Sequence, residues 1–84
     1  MKLSSAEVKT FSRALGKVSG DRTFGASCLV LQEIIKTGEV KPEQFDTICF
    51  AMGGAAGAGQ DEAFFTASMS LLSRLSDAFG RPLR

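Results

Sequence analysis

Eighty-four residues, 44% of them apolar, with a net charge of +1, suffice for one domain over residues 1–84 and are too apolar for a disordered chain. No apolar run approaches the roughly 18–20 residues that span a bilayer, so no membrane partner is expected. Histidine is absent, which removes the usual general base and metal ligand and excludes Ser-His and Cys-His nucleophiles.

A domain this short buries only about 60–65% of the surface its unfolded chain exposes, so a partner or a second copy would add stability. Met1-Lys2-Leu3-Ser4-Ser5 has a lysine but no apolar stretch behind it, unlike a secretory signal. Cys28 and Cys49 lie in apolar stretches without a second pair, as expected of two free buried thiols in a cytoplasmic protein. A disulfide would require their helices to pack side by side. Charge is segregated: residues 1–22 carry +3, residues 39–62 carry −4 and residues 63–84 carry +2.

The spacing predicts an all-α bundle of four helices. The first, 5–18, opens on Ser4 and Glu7 at capping-box spacing. It places Val8, Phe11, Leu15 and Val18 on one stripe beside Ala14, and Ser19-Gly20 ends it. The second, 22–37, has Asp21 as N-cap and a stripe of Phe24, Cys28, Leu31 and Ile35 widened by Val30 and Ile34. Gly38 stops it. Its broad apolar face marks it as the expected central, most buried helix. The third, 42–53, starts with Pro42 at the first helical position and repeats Phe45, Ile48, Cys49 and Met52.

Four glycines then fall within the seven residues Gly53–Gly59. Each costs a helix about 1 kcal/mol relative to alanine, so the segment reads as a loop. A helix–helix contact through small residues is the alternative. The fourth helix, 61–79, begins at Asp61, with Glu62 at the positive end of the dipole, and ends at Gly80-Arg81-Pro82.

Little chemistry is available to these residues. Gly54 and Gly59 have the spacing of a phosphate-binding loop, but Gln60 and Asp61 stand where it needs lysine and a hydroxyl. Glu43 and Asp46, three apart on helix three, and Asp61-Glu62 make a magnesium or acid-base role conceivable, but Glu43, Asp61 and Glu62 are explained as helix N-terminal acids. No catalytic residue, no metal and no cofactor are expected, and the chain reads as non-enzymatic.

Two surfaces are candidates for contacts. Lys9, Arg13 and Lys17 recur every fourth residue, forming one basic stripe that suits phosphates, an acidic protein patch or this chain's own residues 39–62. No aromatic side chain interleaves it, and no helix looks built to read base edges.

On the fourth helix, Phe64, Leu71, Leu75 and Phe79 form a core stripe. Phe65, Met69 and Leu72 widen the apolar arc to roughly 200° at helical periodicity, where a surface helix needs little over 100°. The excess must meet another helix, a second copy or a different protein. Leu29, amid Gln32, Glu33 and Lys36, reads as a lone exposed apolar residue.

The resulting expectation is a small helical adaptor or inhibitor acting by contact with another protein or with itself as a homodimer, the format of many phage and mobile-element modulators of host proteins. The alternative is a nucleic-acid-binding regulator using the basic face of helix one.

Overall fold

The computed structural model describes residues 1–57 and 61–82. Four helices pack against one another: α1 (Ser5–Val18), α2 (Gly25–Thr37), α3 (Phe45–Gly57) and α4 (Glu62–Phe79). Single 3₁₀ turns, Arg22–Phe24 and Pro42–Gln44, lead into α2 and α3, so helices two and three begin tighter than the sequence pattern suggests.

Side chains satisfy the helix ends that the sequence marks. Ser4 Oγ accepts from the Glu7 N–H at 3.2 Å, and Glu7 Oε1 accepts from the Ser4 N–H at 2.8 Å, completing the capping box. Asp61 Oδ1 accepts from the Phe64 N–H at 3.0 Å and starts α4. Helices α2 and α4 end at Gly38 (φ 70°) and Gly80 (φ 63°), left-handed positions that glycine occupies without Cβ strain.

Helices α1 and α3 each contact both α2 and α4. Phe11, Ala14 and Val18 of α1 meet Leu31 and Ile34 of α2, Ile48, Ala51, Met52 and Ala55 of α3, and Phe64, Leu71 and Leu75 of α4 in one buried cluster. The central helix is therefore α3, with five buried positions, and not α2, where only Ser27, Leu31 and Ile34 are buried. Phe24, Cys28, Val30 and Ile35 are half-buried around that narrower seam. Cys28 and Cys49 remain half-buried thiols rather than fully buried ones.

Residues Met1–Leu3 close one end of the bundle. Leu3 donates to the Gly38 carbonyl and Val40 to the Met1 carbonyl, each at 2.9 Å, giving an antiparallel bridge between Lys2 and Glu39. Val40 is fully buried beneath it. Among the described residues no helix is long and apolar enough to cross a membrane.

The expected glycine loop is not a loop over its described part. Helix α3 continues through Gly53, Gly54, Ala55, Ala56 and Gly57, while residues 58–60 lie outside the described residues. Burial of Ala51, Met52 and Ala55 outweighs the low helix propensity of the glycines, a case of packing overriding local preference.

Candidate functional site

The extra turn of α3, Gly54–Gly57, lengthens a wall opposite α4. Between the two helices runs a groove of about 400 Å³ lined by Cys49, Met52, Gly53, Ala56, Gly57, Phe65, Ser68, Met69 and Leu72. None of these nine residues carries a charge. All three residues of the apolar flank of helix four, Phe65, Met69 and Leu72, lie along it. Phe65 is 52% exposed and Met69 43%, while Leu72 is half-buried against the core.

Met52 and Ser68 are the buried residues of the groove, and Gly53 and Gly57 are exposed along its α3 side. A β-carbon added at Gly53 or Gly57 would meet nothing within 4 Å. Ser68 is only 2% exposed, and its Oγ has no hydrogen-bond partner among the described residues. Phe50, 53% exposed, lies three residues before Gly53 and seven before Gly57, on the same outer ridge of α3. Three of the four exposed large apolar side chains described, Phe50, Phe65 and Met69, thus belong to α3 and α4. Leu29 is the fourth, at 68% exposure.

The basic stripe is arranged differently. Arg13 reaches Asp61 Oδ2 at 2.5 Å, and Lys17 Nζ lies 3.6 Å from the same oxygen. Both cations also sit over the Phe64 ring, 5.7 and 5.2 Å from its centroid. The internal use of the stripe, against an acid from residues 39–62, is the one found for these two. Lys9 is exposed, with no ion pair among the described residues.

The Phe64 N–H donated to the Asp61 carboxylate, opposed by partial desolvation and aided by Arg13 and Lys17, holds Asp61 below the usual aspartate value. At the other end of α1, desolvation raises the Glu7 pKa. The Ser4 backbone N–H and the Arg74 guanidinium outweigh it and hold Glu7 below the usual glutamate range.

Asp46 of α3 is also ion-paired. Arg81 donates to both carboxylate oxygens of Asp46 at 3.1 Å and lies 5.4 Å from the Phe45 ring centroid. Among the described residues no group of three or more histidine, cysteine, aspartate or glutamate side chains is placed to hold a metal ion.

No family, curated protein or solved structure matches this chain.

Sequence reasoning found the α4 side of the groove but not the part of its α3 side beyond Met52. Gly53 ends the expected third helix and opens the expected glycine loop, Ala56 and Gly57 fall within that loop, and Ser68 lies on the core stripe, where a serine gives no periodic signal. Phe50 stands five residues after Phe45, off the buried stripe; that displacement was the available sign that it faces outward.

Proposed function

We propose that the protein is a non-enzymatic binding module that acts by protein–protein contact through the groove between α3 and α4. The observation that carries this reading is the convergence of Phe65, Met69 and Leu72 on an uncharged groove whose opposite side is the small-residue face of α3. Aromatic and methionine side chains grouped on a charge-free centre are what protein interfaces enrich. A helical groove of this kind accepts an amphipathic helix through side chains spaced at three and four residues. The basic face of helix one is the weaker candidate for a partner, because Arg13 and Lys17 already face Asp61.

The test is the double variant Phe65→Ser, Met69→Ser. Wild-type protein should enhance the fluorescence of anilinonaphthalene sulfonate, and the variant should lose that enhancement while its circular dichroism remains helical. Loss of helicity would mean that these residues belong to the core and that the groove is not a surface.

A further inference from the structure

We infer that α4 is the least firmly docked helix and leaves a scaffold of α1, α2 and α3 as one unit, before the rest of the fold opens. The opening does not depend on what the groove binds. The scaffold helices hold one another closely: α1 and α3 both pack more densely on α2 than on α4. Residues Met1–Leu3 add backbone hydrogen bonds to Gly38 and Val40, on the segment that joins α2 to α3. On leaving, α4 loses its support. An 18-residue helix is marginal by itself in water, so its amides exchange with solvent once it is undocked.

The packing of α4 is open on both flanks. Toward α3 lies the groove of about 400 Å³. Toward α1 lies a second hollow of about 270 Å³, between Ala6 and Thr10 of α1 and Ala67, Ser70 and Leu71 of α4. Side chains that line a hollow lose the dispersion contacts a filled interface supplies. Between the two, α4 is anchored by Phe64, Leu71 and Leu75, with Phe79 edge-on to Phe45. Ser68 sits among these anchors, its Oγ enclosed and without a hydrogen-bond partner among the described residues. That desolvation cost is relieved when the helix opens to water. Charge secures the periphery instead: Asp61 meets Arg13 and Lys17, Arg74 meets Glu7, and Arg81, just past the helix, meets Asp46. Each pair ties α4 or its flanking residues to α1 or α3, and each is partly exposed, so it holds weakly. Sparse contact of this kind marks the first unit of a fold to open.

Native-state amide hydrogen exchange of the full chain, read residue by residue by NMR, tests the opening. The expected result is one shared protection factor across residues 68–75, at least about tenfold below that of the central amides of α2 and α3. Ile34→Val trims a fully buried side chain of α2 and weakens only the scaffold. It should speed exchange in α2 and α3 about threefold or more and leave residues 68–75 unchanged, because the scaffold is intact when α4 opens. The double variant Asp61→Asn, Glu7→Gln removes two of the charged links and keeps both caps, which asparagine and glutamine also form. It should speed exchange at residues 68–75. Protection of α4 equal to that of α2 and α3 overturns the inference, as does an Ile34→Val effect of the same factor in all four helices. So does protection that climbs from both ends of α4 to a centre as slow as α3, which is fraying rather than release of a unit.

Discussion

The ring of Phe24 lies against the backbone of Gly54, in the space that the β-carbon of any other residue would occupy. The same ring stacks on Phe50, with centroids 4.9 Å apart and planes tilted by 34°. Glycine at position 54 thus joins the turn before α2 to the last turn of α3, a close approach that a β-carbon would block.

Alanine substitutions should therefore have opposite signs at neighbouring glycines. Gly53→Ala, measured as dilute monomer, should stabilise the fold by about 0.5–1 kcal/mol through better helix propensity. Gly54→Ala should destabilise it by about 1 kcal/mol or more, since overpacking displaces the Phe24 ring and opposes the propensity gain. Urea unfolding midpoints decide this. Equal stabilisation by both would mean that the Phe24 ring swings aside freely.

Adjacent phenylalanines on α4 should behave as differently. Phe64 is 1% exposed within the core, and Phe64→Ala should cost about 3–5 kcal/mol, enough to unfold a domain of this size. Phe65→Ala, at low protein concentration, should change stability by no more than about 0.5 kcal/mol. Thermal melts followed by circular dichroism separate the two.

Acid should loosen the clasp that α1 makes with α4. Asp61 and Glu7 are held below their ordinary values of 3.8 and 4.5. Each therefore stabilises the fold fully above its ordinary value, and that contribution is lost as pH falls through the lowered folded-state value. The wild type should lose melting temperature from about pH 4.5 downward. The double variant Asp61→Asn, Glu7→Gln should start lower at pH 7 and decline less over the same acid range. Parallel pH profiles would remove these two carboxylates as the cause.

The basic stripe gives a prediction of its own. With Arg13 and Lys17 engaged by Asp61, labelled DNA or RNA should not bind at about 50 mM salt, conditions that favour phosphate contacts. Tight, salt-sensitive binding that Arg13→Glu abolishes would favour a nucleic-acid function instead.

How much of this was legible in the sequence depends on whether a signal was local. Ser4, Asp61, Gly38 and Gly80 mark helix ends because the hydrogen bonds and dihedrals they satisfy lie within a few residues. Phe65, Met69 and Leu72 were legible as an excess apolar flank because helical periodicity places them together. The helical course of residues 53–57 was not legible, since it follows from tertiary burial of Ala51, Met52 and Ala55, while the glycine at 54 answers to the Phe24 ring 30 positions away. The pairing of Val40 with Met1, and of Arg13 with Asp61 at a separation of 48, is likewise long-range; segregated charge announced that opposite signs would meet but not which residues.

The most direct test of the groove is an amide NMR spectrum of the isotope-labelled chain, recorded as anilinonaphthalene sulfonate is added. Dye-dependent shifts should concentrate at Cys49, Gly53, Gly57, Phe65, Met69 and Leu72, with Leu29 and Lys9 unchanged. Shifts centred on Lys9, Arg13 and Lys17, or on Leu29, would contradict the assignment of the contact surface to α3 and α4.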